Sequence, residues 1–393
     1  MKKFYHLLLG LFLLTSLAEA KLHVLTVVKK EATGDYNQTL GIQAALKQLN
    51  HEEMIFEEFN FEELEQISKE ISTIHSNNRT EKIVILSVGD YGVNAFKKLK
   101  KDFNTPHIHY VLSSHQLTDA LAKDASTVDL IALPSHAVNA TFTKIMKGKL
   151  VQTIGVAHNL NHQEITAAYT QDKNKVLPLH PHKKYIAVML GGDAPDLNGK
   201  MHYYTAAEAE KLAKYIAHLA LQQDAVVLAM DGPRTGMHNQ KTGIADEQAH
   251  KSEKLTFVSQ TFKDTLSQYL PEHQFAFYDF QFGKPSMSKA VYGAVIENGG
   301  SIFIPGESTT MVSEAVDNFA KGSVTIYQNN AMNKTHLKHV RAEQKHGRIK
   351  LLNLDFRPVK SSPAKETGSL QDESAATTIA KAVIKLLKLK IHH

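Results

Sequence analysis

Residues 301 to 327, SIFIPGESTTMVSEAVDNFAKGSVTIY, admit few folds. Apolar Ile302, Phe303 and Ile304 stop at Pro305 and Gly306, and beyond Ser308, Thr309 and Thr310 the apolar spacing changes from that of a strand to that of a helix. Met311, Val312, Ala315, Val316 and Phe319 share one helical face, and Gly322 is placed to end the helix before the apolar run Val324 to Tyr327. Strand, polar turn, helix and second strand make a βαβ unit, which requires a parallel sheet around it.

The rest of the chain has the same alternation. Strands are expected at 23–28, 54–59, 82–88, 107–112, 128–133 and 151–156, with helices through Ile42, Leu46 and Leu49 and near 62–75, 91–101 and 115–123. Continuous apolar strands between helices predict a sheet covered on both faces. The rhythm lapses over 158–184 and resumes with strands at 185–190, 225–230, 275–280, 301–304 and 324–327 and helices near 205–222, 249–270, 286–298, 309–321 and 333–346. The reading is an α/β protein of two Rossmann-like parallel-sheet domains with a cleft between them: 21–157, a linker at 158–184, and 185–354. Residues 355–393 then form a crossing loop and a C-terminal amphipathic helix. The lysines of that helix, Lys381, Lys385, Lys388 and Lys390, suit peripheral contact with an anionic membrane surface, unless its apolar face packs on the body of the protein.

Residues 1–20 have a basic start at Lys2 and Lys3, an apolar stretch from Leu7 to Leu17 and a small-residue end at Ala18 and Ala20. This is the pattern of a secretory signal peptide, and it predicts an exported, periplasmic or secreted protein. The absence of cysteine removes disulfides, thiolate metal sites, a cysteine nucleophile and a lipoprotein anchor together. A net charge of +5 is too small to argue for nucleic acid. His107 with His109, and His180 with His182, lack a third partner, so no metal site is expected. The Asn-x-Thr sequons at Asn37, Asn78, Asn139 and Asn333 matter only in a eukaryotic secretory pathway.

Three loops at strand ends of the second half carry chemistry. Gly191 and Gly192 allow close backbone approach, Arg234 offers a forked cation, and Ser308 and Thr309 stand where a helix start presents unpaired N–H groups and a positive dipole end. Glu314, one turn further on, is placed to accept from a ribose diol. Such a set suits a nucleotide diphosphate; the plain alternative is a helix-capping hydroxyl, a turn and surface charges.

GGD at 191–193, PRTG at 233–236 and PGESTTMVSEA at 305–315 resemble the mitochondrial fission ELM-type family, as do GDYNQTLGIQAAL at 34–46, SVGDYGVNAF at 87–96, ALPSHAVN at 132–139 and TIGVAHNL at 153–160. That family is similar to GT-B glycosyltransferases such as the N-acetylglucosaminyltransferase that completes lipid II. The resemblance implies a nucleotide sugar as co-substrate in the second domain, an acceptor against the first, and metal-independent glycosyl transfer. It also implies that Gly191 and Gly192 border the diphosphate, that Arg234, Ser308 and Thr309 bind it and that Glu314 holds the ribose. Asp35 or His136 is then the base. Two readings from other classes stay open, a periplasmic solute-binding protein and a GT-B-like interaction protein without catalysis.

Overall fold

A computed structural model describes residues 21–50, 53–176, 183–196, 198–361 and 373–389. The expected signal peptide at 1–20 lies outside these residues, as do His180 and His182.

The first half runs β1 (Leu22–Val28), α1 (Thr33–Leu49), β2 (Met54–Asn60), α2 (Leu64–Asn77), β3 (Lys82–Val88), α3 (Asp90–Asp102), β4 (Ile108–Ser113), α4 (Asp119–Asp124), β5 (Leu130–Pro134), α5 (Ala140–Ile145) and β6 (Leu150–Thr153). Its six strands pair in parallel in the order β2-β1-β3-β4-β5-β6. Every residue of β1 is buried, which is why the run LHVLTVV is apolar on both faces apart from His23 and Thr26 and shows no alternation. One face of the sheet is covered by Ile67, Ile71, Phe96 and Leu99 of α2 and α3, and the other by Ile42 and Leu46 of α1.

The second half runs α6 (His162–Val176), β7 (Tyr185–Met189), a short hairpin of β8 (Ala194–Pro195) and β9 (Met201–His202), α7 (Ala206–Gln223), β10 (Val226–Met230), α8 (Phe257–Tyr269), β11 (Phe275–Tyr278), α9 (Ser288–Asn298), β12 (Gly300–Pro305), α10 (Thr309–Asn318), β13 (Val324–Tyr327), α11 (Lys334–Lys345) and β14 (Lys350–Leu352). Its parallel order is β11-β10-β7-β12-β13-β14. Strand order reverses between β1 and β3 in one sheet and between β7 and β12 in the other, and ligands of such sheets bind beyond the carboxyl ends at those reversals.

Several segments differ from the sequence expectation: α5, β14 and the β8–β9 hairpin are not among the expected elements, and β6 ends at Thr153 and not at 156. The stretch read as a linker holds α6, whose Ile165 and Val176 belong to the second core and whose Tyr169 lies against Gly293 of α9. The chain crosses between cores within a few residues, since Ala157 packs with the first and Leu160 with the second. Residues 249–256, read as the start of a helix, are irregular, and α8 begins only at Phe257, capped by the Thr256 hydroxyl. Helix α10 ends at Asn318 and not at Gly322, because Phe319 turns extended and sets its ring on Tyr292. The last helix, α12 (Ala375–Leu386), returns to the first half, where Ile379, Val383 and Ile384 pack with Leu22, Val24 and Ile42. Its apolar face is therefore not free for a bilayer.

Three of the four sequons cap or close local structure. Asn139 and Asn333 accept from backbone N–H groups at the starts of α5 and α11, and Asn78 accepts from Thr80.

Candidate functional site

The βαβ unit of β12, α10 and β13 sets the centre of the site. Ser308 stands at the cap position of α10 but makes no side-chain cap bond, so the first N–H groups of the helix are left for another acceptor. Ser308, Thr309 and Thr310 are all half-buried. Opposite them, α1 also starts without a side-chain cap, at Ala32. A methyl group placed on Gly34 in its first turn would lie 3.8 Å from Thr310 Oγ1. Two helix starts from opposite halves thus converge, and both present a positive dipole end.

The Gly191–Gly192 loop is bound to the turn before α10 through a residue the sequence reading passed over. Glu307 is buried and accepts from the Gly192 N–H at 2.7 Å and from Asn329 Nδ2 at 2.6 Å, and burial pushes its carboxyl up. The Gly192 N–H is therefore already used. The glycines serve close packing instead: a Cβ on Gly191 would meet Asn329 Nδ2 at 2.7 Å, and one on Gly192 would meet Arg234 Cβ at 2.7 Å. The Asp193 N–H donates to the Arg234 carbonyl at 2.9 Å, which sets the Arg234 turn beside the glycine loop. Arg234 is exposed and makes no ion pair among the described residues.

Asp35 lies in the first turn of α1. Its carboxylate is 19% exposed, 3.8 Å from His115 Nδ1, and so near Gly89 that a Cβ there would be 2.7 Å from Oδ2. Gly89 also has φ of 85°, a conformation that favours glycine. Burial, and then the charge of Asp90, raise the Asp35 pKa to about 6. His136 sits elsewhere, with its ring 4.9 Å from that of His339 on α11 and its Nδ1 buried without a hydrogen-bond partner among the described residues. Burial, and then the neighbouring His339, His115, Lys338 and His336, push it down to about 3. His336 falls to about 4 through burial and then the charge of Arg234. The first-half and second-half histidines thus share one cationic neighbourhood.

A cavity of about 310 Å³ opens beside α10, with Asn37 of the first half on one wall and Met230, Asp231, Phe280, Tyr292, Met311 and Glu314 of the second on the others. Glu314, half-buried, has its carboxyl pushed up by desolvation against the opposing charges of His158 and Lys289. The structure brings Arg234, Gly191, Gly192 and the Ser308–Thr309 turn into one region, with Glu314 on the adjoining wall. Asp35 faces them from the first half, while His136 is held in the seam against α11.

The seam itself is polar. The Val156 N–H donates to Ser313 Oγ at 3.0 Å, His158 Nε2 lies 3.0 Å from Asp317, and Arg348 bridges Asp317 and Glu343. Among the described residues one group of His and Asp side chains lies close enough together to be tested as an ion site, Asp231, His250 and Asp279. Its members are 19 and 29 residues apart in sequence, which is why no local pattern shows it.

Two six-stranded parallel sheets with carboxyl-end loops converging at a common seam, and a final helix returned to the first half, define a two-domain α/β protein whose Rossmann-like halves have a GT-B-like arrangement. The chain belongs to the mitochondrial fission ELM1 family, whose model matches residues 33–385. No curated protein matches it in sequence. Among solved structures it is similar to UDP-GlcNAc 2-epimerase from Methanocaldococcus jannaschii, at 11% identity and TM-score 0.47 over 95% of this chain and 94% of that one. It is also similar to the N-terminal domain of Candida albicans trehalose-6-phosphate phosphatase, at 10% identity and TM-score 0.48 over 95% and 97%. A third is the E. coli ADP-heptose lps heptosyltransferase II, at 11% identity and TM-score 0.38 over 93% and 98%.

Proposed function

We propose that the cleft binds a nucleoside diphosphate sugar and transfers the sugar to an acceptor hydroxyl. The observation that carries this reading is the meeting of two helix starts without side-chain caps, α1 and α10, beside Arg234, which makes no ion pair among the described residues. That arrangement favours an anion with several oxygens. The diphosphate lies at Ser308 and Thr309 with Arg234 against it, and the nucleoside occupies the cavity with its ribose diol on Glu314. His336, whose basicity is lowered in part by Arg234, gains a favourable partner when the anion arrives.

In the transfer, Asp35 takes the proton of the acceptor hydroxyl, the acceptor oxygen bonds to the anomeric carbon, and the bond to the β-phosphate oxygen breaks. The nucleoside diphosphate departs as an anion stabilised by the helix starts and Arg234. Asp35 suits the base role better than His136, because a carboxyl at about 6 is charged yet still basic near neutrality, whereas an imidazole at about 3 is a weak base. A solute-binding protein is disfavoured by connectivity, since the chain crosses once near Ala157–Leu160 and returns only with α12.

Calorimetric titration of the mature protein with UDP, ADP and GDP tests the site. Arg234→Ala and Glu314→Ala should each weaken binding by about 1.5–3 kcal/mol, as expected for hydrogen bonds to a charged group. Binding of a free sugar or amino acid, untouched by either substitution, would instead support the solute-binding reading. Nucleotide binding without any transfer would leave a catalytically silent interaction protein. We further propose that residues 1–20 direct export. Cell fractionation of the full chain should find a shortened protein outside the cytoplasm, and a full-length cytoplasmic product would refute this.

A further inference from the structure

Asp231, His250 and Asp279 place their ligand-type atoms within 4.8 Å of one another behind the cavity wall. The His250 side chain is fully buried, and its backbone φ is 59°, a left-handed conformation that a non-glycine residue keeps only where its surroundings hold it. Its Nε2 lies 2.9 Å from the carbonyl oxygen of Thr235 and its Nδ1 3.0 Å from the carbonyl oxygen of Phe280. Carbonyl oxygens only accept, and a neutral imidazole donates from one nitrogen alone. Two such contacts require a proton on each nitrogen.

The counter-charges are in place. Asp279 Oδ1, 4.0 Å from Nδ1, is buried with no hydrogen-bond partner among the described residues. Asp231 is buried too, and accepts from Ser259 Oγ and from the Phe280 N–H. A metal ion would need a lone pair on a ring nitrogen, and each nitrogen already faces an acceptor.

We propose that His250 is a buried imidazolium that positions Arg234, holding the loops after β7, β10 and β11 in register around the cavity. On one side it grips the carbonyl of Thr235, the residue after Arg234. The Thr235 hydroxyl in turn donates to the Gly191 carbonyl at 2.9 Å and accepts from the Gly232 N–H at 3.1 Å. On the other side it grips Phe280, which lines the cavity and is itself fixed by Asp231. The consequence for ligand binding rests on the function proposed above, whereas the protonation and the bracing do not.

Long-range proton–nitrogen correlation spectra of protein labelled with 15N histidine test the protonation directly. At neutral pH one imidazole should show both nitrogens protonated, and that pattern should vanish in His250→Gln and shift in Asp279→Asn. A His250 ring with one bare nitrogen, or one that takes up equimolar zinc, overturns the proposal. Positioning is read from the Arg234 Nε–H resonance, which should move in His250→Gln without any ligand present; an unmoved resonance overturns the bracing role. If His250→Gln does not fold, Asp279→Asn serves for the same comparison. With UDP as probe, His250→Gln should weaken binding about tenfold and add little on top of Arg234→Ala, as coupled neighbours do. Fully additive losses would count against it. If wild-type protein binds no nucleoside diphosphate, the ligand reading falls while both spectroscopic results still decide this one.

Discussion

Asp35 holds its proton more tightly than an exposed carboxyl because burial and the charge of Asp90 both oppose its ionised form. The folded state therefore binds the proton more strongly than the unfolded chain, and stability contributed at low pH is lost as pH rises from the ordinary carboxyl range, about 4, through about 6. Asp35→Asn should accordingly raise stability at pH 7.5 by on the order of 2 kcal/mol, with the gain fading near pH 4, as thermal melts at the two pH values would show. The same substitution should abolish transfer while leaving nucleotide affinity intact, and the wild-type rate should climb through pH about 6 as the carboxylate forms. Gain in stability with loss of rate is the signature of a residue kept for chemistry. A melt that falls at pH 7.5 would assign Asp35 a structural part.

At the scale of elements, the loops after β7 and β10 depend on missing side chains. Gly192→Ala places a methyl 2.7 Å from Arg234 Cβ and 3.1 Å from its carbonyl carbon, so the two loops must part. A loss of about 1–3 kcal/mol and of nucleotide binding is expected from denaturant melts and calorimetry. Gly232→Ala is the control for the stability loss, because a methyl there meets nothing within 4 Å. The elements that were legible in sequence are those whose burial is continuous. Strand β3 falls on Lys82–Val88 and β13 on Val324–Tyr327, as their apolar runs indicate. Helix α6 escaped because its fully buried side chains are Ile165 and Val176 alone, set among polar neighbours. The irregular 249–256 segment escaped because its conformation is set by His250 reaching Thr235 and Phe280, 15 and 30 residues away. The candidate site follows the same division. The PGEST turn is local and readable, but Glu307 as a clasp on Gly192 depends on a contact 115 residues distant.

On the scale of the whole molecule, the halves meet through buried charge. Arg348 lies between Asp317 and Glu343, the latter fully buried and next to His339, while His158 at the crossing point reaches Asp317. Arg348→Leu would leave two carboxylates in the seam without their cation, and a loss of about 3–5 kcal/mol is expected in calorimetric unfolding. An unchanged melt would mean that the seam is held by other contacts. Helix α12 has a further consequence, for synthesis. Because Ile379, Val383 and Ile384 complete the same core as Leu22 and Val24, part of the cover of β1 waits until α12, far along the chain, has been synthesised. Until then α1 alone among the described helices shields that face of the sheet, so the first half cannot complete its core ahead of the second.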